Sequence, residues 1–160
     1  CSALVVRTAE ADLLVALNRR RKQQAKAPQP LPGQLLPSVS VVVAAYNEEG
    51  MIRECIESIV GQTYRNREII FVNDASTDRT GEILAEYAES GLIKAIQLEN
   101  NVGKKRALAE AMLAAHGEIF AFSDSDTILE RTAIEKLVTI FVTDSDVGAV
   151  SGHARALNAE

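Results

Sequence analysis

The chain has 160 residues, enough for one domain that buries about two-thirds of its unfolded surface, and its 47% hydrophobic content excludes wholesale disorder. Aromatic residues make up only 4%, with no Trp, which argues against a stacking platform for single-stranded nucleic acid. The net charge of −5 is unevenly spread: residues 1–37 hold six Lys/Arg against two Asp/Glu, and residues 38–160 hold eleven against twenty. An acidic globular part repels a phosphate backbone, so no nucleic-acid partner is expected, whereas acidic clusters can hold a divalent cation that in turn binds a phosphorylated substrate.

Residues 1–37 read as an N-terminal helix and a Pro-rich linker. Leu13, Leu14 and Leu17 stand at helical spacing within residues 9–26, and the basic run Arg19-Arg20-Arg21-Lys22 follows them. Pro28, Pro30, Pro32, Gly33 and Pro37 then interrupt any regular element, which makes residues 27–37 a linker. The basic run suits either a solvated tail or the cytoplasmic flank of a membrane helix lying outside the sequence. No apolar run in the chain approaches the roughly 20 residues needed to cross a bilayer. The chain begins at Cys1 rather than Met, and we expect it to be a piece of a longer protein.

From residue 38 strands and helices alternate. Ser38–Ala44 is a β-branched run of the kind found in strands buried on both faces. Asn47 is expected to cap a helix with Glu48 and Glu49 in its first turn and Ile52, Cys55, Ile56 and Ile59 on one face. Cys55 on that face should act as a small hydrophobe, and two cysteines make neither a disulfide framework nor a zinc site, which fits a reducing compartment. Glu68–Asn73 is a second strand, followed by the polar turn Asp74–Asp78, a helix through Tyr87, and a weak strand at Ile93–Leu98. A helix over 103–115 should end at Gly117, before the strand Glu118–Ser123 and the triplet Asp124-Ser125-Asp126. Ile134, Leu137, Val138 and Phe141 stripe a further helix, and Val147–Ser151 is a fifth strand, with Asp144 and Asp146 in the loop between. The fold class is α/β: a mainly parallel sheet with helices on both faces.

Ligands of such sheets bind beyond the carboxyl ends of the strands. Tyr46-Asn47-Glu48, Asp74 and Asp124-Ser125-Asp126 all fall there and should share one edge. Two carboxylates one residue apart repel unless a positive charge lies between them, and Mg2+ or Mn2+ would supply it while leaving coordination positions for water and phosphate. Alternatively, Asp124 and Asp126 merely cap the turn that follows. Asp74 suits an Asx-turn, or a carboxylate accepting from the imide N–H of a uracil against which Tyr46 could pack. Glu48 suits a ribose contact or the start of a helix. Gly103-Lys104-Lys105-Arg106 places three cations at a helix N-terminus, which the helix dipole disfavours unless an anion such as a diphosphate offsets them; a solvated basic face is the other reading. His116 is read as a surface residue at a helix end.

Together these segments resemble the family 2 inverting glycosyltransferases of GT-A fold. VSVVVAAYNEEGMIRECIESIVGQTY is similar to the family's opening strand and helix, and IIFVNDASTDRTGEIL to its second unit. NNVGKKRAL resembles the N-x-G-K-x-x-A-L segment, and GAVSGHARALN the strand that follows the acidic motif. FSDSDTIL resembles the D-x-D region in the form found in hyaluronan, chitin and poly-N-acetylglucosamine synthases. The resemblance covers residues 38–158, so residues 38–160 are taken as the nucleotide-sugar-binding part. It implies that Ala44, Tyr46, Glu48, Asp74 and Lys104 bind the nucleotide of a UDP-sugar, with Asp124 on ribose or phosphate and Asp126 on the metal. It also implies transfer with inversion to a saccharide or lipid-linked acceptor, and a membrane-embedded parent with this part on the cytosolic face.

The family's later Glu-Asp or Asp-Asp pair, which supplies the general base, and its Q-x-x-R-W segment do not occur before Glu160. No catalytic base is therefore assigned, and the chain alone is expected to bind donor poorly and to transfer very little sugar. Two other readings stay open: a nucleotidyltransferase, although AAYNEEG lacks the Gly-rich basic loop expected there, and a non-catalytic interaction domain that kept the fold.

Overall fold

The computed structural model describes residues 4–7 as backbone, and residues 36–144 and 146–152. Strands β1 (Leu4–Arg7), β2 (Val39–Ala45), β3 (Arg67–Asn73), β4 (Lys94–Gln97), β5 (Ile119–Asp124) and β6 (Ala149–Ser151) form one sheet in the order β4-β3-β2-β5-β1-β6. Its centre, β4-β3-β2-β5, is parallel, as the alternation of strands and helices predicts. The short strand β1 is a departure from the sequence reading, which gave residues 1–37 no strand. It runs antiparallel to both β5 and β6 and joins them. Four residues carry too little pattern to announce a strand, and these pair with partners more than a hundred positions away. The helix expected over 9–26 and most of the linker over 27–37 lie outside the described residues.

All seven residues of β2 are buried, which explains its unbroken apolar run. Val39, Val41, Val43 and Ala45 pack on one side with Ile52, Cys55, Ile56 and Ile59 of α1 (Ile52–Val60), with α2 (Thr80–Glu89), and with the stripe Ile134, Leu137, Val138 and Phe141 of α4 (Ala133–Thr143). Val42 and Ala44 face the opposite side, where Ile70, Val72 and two fully buried alanines of α3 (Lys104–Leu113), Ala107 and Ala111, complete a smaller core. Alanine at both positions lets α3 lie close to the sheet.

Two helix boundaries differ from expectation. Helix α1 starts at Ile52, not beside Asn47, because Asn47 is engaged elsewhere. Helix α3 ends at Leu113, four residues before Gly117. Gly117 serves a different purpose: a Cβ there would lie 2.4 Å from the Ser40 backbone nitrogen, so only glycine allows the chain to cross β2 at that point. Asp144 and Asp146 lie in the loop expected of them, with the Asp146 N–H donating to the Asp144 carboxylate at 3.0 Å.

A polar cluster closes the end of the sheet away from the site. The Gly117 N–H donates to Ser40 Oγ at 2.8 Å, and the Ser40 hydroxyl donates to Glu68 Oε1 at 2.6 Å. Glu68 also accepts from the His116 N–H at 2.5 Å and from Lys94 Nζ at 2.8 Å. Burial opposes the charge on Glu68, but the bonds from Lys94, Ser40 and His116 outweigh it and hold its pKa down from 4.5 to about 2. A carboxyl with a lowered folded pKa stabilises the fold above its unfolded value and loses that stabilisation as pH falls through the folded one. Glu68→Gln should therefore cost on the order of 1–3 kcal/mol at pH 7 and almost nothing near pH 2. Denaturant unfolding of both proteins between pH 7 and pH 2 measures this difference; a gap that stays constant with pH would contradict it.

Candidate functional site

The register of the parallel strands brings the polar strand ends level. Ala44 stands opposite Asp124, and Ala45 opposite Asn73. Beyond this edge lies an open pocket of about 200 Å3, lined by Ala44, Ala45, Tyr46, Glu48, Asp74, Lys104, Asp124, Ser125 and Asp126. Every residue proposed from sequence as a nucleotide or metal contact is in that lining. Ala45 and Ser125 are in it too, although sequence reasoning did not single them out as contacts.

The loops that carry these residues are interlocked. Asn47 sits at φ +55° and presents its side-chain oxygen to the Thr77 N–H at 2.8 Å, while its own N–H donates to Ser76 Oγ at 3.0 Å. The Glu48 N–H donates to Thr80 Oγ1 at 2.8 Å, and the Glu49 N–H to Asp78 Oδ2 at 3.0 Å. In return, the Arg79 N–H donates to Glu49 Oε2 at 3.0 Å. Asn47 is therefore a latch between the loops after β2 and β3, not the helix cap expected of it. Asn is among the few residues that tolerate this left-handed backbone.

Asp74 is buried and makes no Asx-turn; the local turn bond belongs to Asn73, whose Oδ1 accepts the Ser76 N–H at 3.1 Å. The Asp74 carboxylate reaches across instead and accepts the N–H groups of Val102 at 2.7 Å and Gly103 at 2.8 Å. Each oxygen keeps a lone pair for a ligand. This is one anion that offsets the positive end of α3. Another is Asp124, which pairs with Lys104 Nζ. Lys105 and Arg106 are exposed and outside the pocket lining, so of the three consecutive cations only Lys104 faces the site.

The acidic turn is held by backbone. The Asp124 carbonyl accepts the Thr127 N–H at 3.2 Å and the Cys55 thiol at 3.5 Å, leaving both carboxylates out of the capping role. Among the described residues, no donor engages the exposed Asp126 carboxylate. Burial first, and then nearby Asp126, raise the pKa of Glu48 against a hydrogen bond from Ser125. Cys55 lies beneath the turn, and burial, followed by Asp126 and Glu48, pushes its thiol up to about 12. The segment after the triplet is fixed to α1 and the turn after it: Gln62 Nε2 donates to the Glu130 carbonyl at 2.8 Å and Ser58 Oγ accepts the Leu129 N–H at 3.0 Å. No group of three or more metal-ligating side chains is preassembled among the described residues. His116 is exposed and remote, as expected of it.

A mainly parallel sheet with acidic strand ends gathered around one open pocket defines a GT-A-like, Rossmann-type fold. The chain belongs to glycosyl transferase family 2, whose family model matches residues 40–158. It is 33% identical over 125 residues to a poly-beta-1,6-N-acetyl-D-glucosamine synthase of Staphylococcus epidermidis, covering 78% of this chain and 30% of that protein. S. aureus TarS 1-349, solved in complex with UDP-GlcNAc, superposes with a TM-score of 0.61 at 30% identity, covering 66% of this chain and 31% of that one. A mannosyltransferase from Pyrobaculum calidifontis, solved in complex with GDP-Man and Mn2+, gives a TM-score of 0.62 at 30% identity, covering 67% and 33%. The chain thus spans about a third of the length of these relatives.

The latch can be tested by stability alone. Asn47→Ala should lower unfolding free energy by about 1–3 kcal/mol, through the lost bonds and the forced positive φ. Asn47→Gly, which keeps the backbone but not the acceptor, should cost less, and thermal unfolding of both variants orders them. Equal losses would show that the backbone conformation contributes nothing.

Proposed function

We propose that this chain is the donor-binding part of a metal-dependent inverting glycosyltransferase that takes a UDP-sugar. The observation that carries the reading is the convergence of Tyr46, Glu48, Asp74, Lys104, Asp124 and Asp126 on one pocket at the strand ends. The relatives support it: one is solved with UDP-GlcNAc and another with GDP-Man and Mn2+. In this reading Asp74 accepts the base N–H, Tyr46 packs on the base, and Glu48 meets the ribose. Lys104 lies against the diphosphate, and Asp124 meets ribose or phosphate.

The acidic cluster fits a hard divalent cation. Asp126 offers a carboxylate that no donor among the described residues engages, Glu48 lies near it with like charge, and Asp124 lines the same pocket. Magnesium and manganese are commonly held by one or two carboxylates and completed by water and phosphate, so a preassembled set of three is not required. Asp126, with Asp124, would hold the ion. An ion held there would supply positive charge to the departing diphosphate.

The protein's own residues orient the donor and anchor its leaving group. A saccharide or lipid-linked acceptor, and a place on the cytosolic face of a membrane for the parent protein, belong to the same proposal. We take residues 38–160 as the functional unit.

Thermal unfolding with UDP and Mn2+, with UDP and chelator, and with ADP or GDP and Mn2+ tests the assignment. Ligand at a hundredfold excess over its Kd should add about 2.7 kcal/mol, and only UDP with metal should do so. Stabilisation by GDP or ADP in place of UDP would overturn the uridine assignment. Asp126→Ala should abolish the metal dependence while leaving the ligand-free unfolding midpoint nearly unchanged, since no donor among the described residues engages that side chain. A lowered ligand-free midpoint would assign Asp126 a structural role.

A further inference from the structure

We infer that Asp74 is also a positioning residue for Lys104, so that the base end and the diphosphate end of the pocket are mechanically one unit. This rests on the donor-site reading and goes beyond it, because a base contact alone would leave the phosphate end independent of Asp74.

The connection is continuous. Asp74, at the end of β3, uses both carboxylate oxygens on consecutive backbone donors, Val102 at 2.7 Å and Gly103 at 2.8 Å. Asn101 adds a third tie, its Nδ2 donating to the Asp74 carbonyl at 3.3 Å. The next residue, Lys104, opens α3 and pairs with Asp124 at the end of β5. Strand β2 lies between β3 and β5, so this chain of bonds spans the pocket floor formed by Ala44 and Ala45.

The turn has little freedom of its own. Gly103 is at φ +84° and ψ 152°, a conformation almost confined to glycine, and it turns its N–H toward Asp74. Downstream, fully buried Ala107 and Ala111 seat the helix on the sheet. A long lysine stem is flexible, and its placement depends on where the first residue of the helix is held. Two charge-assisted bonds to one buried carboxylate provide that hold.

Calorimetric titration of Mn2+–pyrophosphate, which has no base, and of Mn2+–UDP separates the two roles. The proteins required are the 160-residue chain and its Asp74→Asn, Gly103→Ala and Lys104→Met variants, with the Asp74→Asn/Lys104→Met double variant. Asp74→Asn should weaken pyrophosphate binding about tenfold, the loss expected for one charge-assisted contact misplaced. In the Lys104→Met background the same substitution should change it by less than about twofold, because the residue it positions is gone. Gly103→Ala, which leaves the Asp74 carboxylate in place, should reproduce the pyrophosphate loss, and it carries the same cycle against Lys104→Met should Asp74→Asn not fold.

A loss confined to UDP, or a pyrophosphate loss that adds fully to that of Lys104→Met, overturns the inference while the donor site stands. Wild-type protein that binds neither ligand overturns the donor-site reading and this inference together.

Discussion

The site depends on the register of the parallel strands. Pairing Ala44 with Asp124 and Ala45 with Asn73 places three chain segments, far apart in sequence, at a common level. Once the hydrophobic runs are paired in that register, the residues that follow each strand have nowhere to go but the same edge. The driving force is apolar burial on both faces of β2, which is non-directional. The selectivity comes from backbone pairing, because a slip of one residue would turn each buried valine to the opposite core. The acidic groups are thus gathered by the packing of residues that take no part in the chemistry.

The gathered loops are then held by polar bonds rather than by a core. Asn47, Glu48 and Glu49 exchange hydrogen bonds with Ser76, Thr77, Asp78, Arg79 and Thr80, and Asp74 holds the turn before α3. Asn47, and Ala75 in the loop that follows β3, have positive φ. Strained backbone of this kind persists only where the surroundings over-determine it. The apolar layers fix the strands, and the polar lattice above them fixes where the functional side chains begin.

Much of this was legible in the sequence, for physical reasons. A strand buried on both faces must be apolar throughout, so SVSVVVA announced β2; a helix with one buried side must repeat its apolar residues, so Ile134, Leu137, Val138 and Phe141 announced α4. The shared edge followed from topology, and the pocket lining came from placing the strand ends. What was not legible depends on contacts across the chain. Asn47 has the residue type of a cap, and only the Thr77 N–H, thirty positions away, shows that it is a latch. Asp74 resembles an Asx-turn until Val102 and Gly103 are seen to donate to it. Lys104, Lys105 and Arg106 look equivalent in a row, but successive helical residues point in different directions and only the first lines the pocket. Strand β1 could not be read because its pattern is four residues long.

The thiol of Cys55 gives the fold a built-in witness. Its sulfur is wholly enclosed beneath the Asp124 carbonyl, and the unfavourable thiolate makes it a poor nucleophile even where a reagent can approach. Alkylating reagents reach it only when α1 parts from the acidic turn. The rate at which it is consumed therefore follows how often that region opens, alone or with the whole fold. A ligand that settles the turn would lengthen that interval without touching the sulfur.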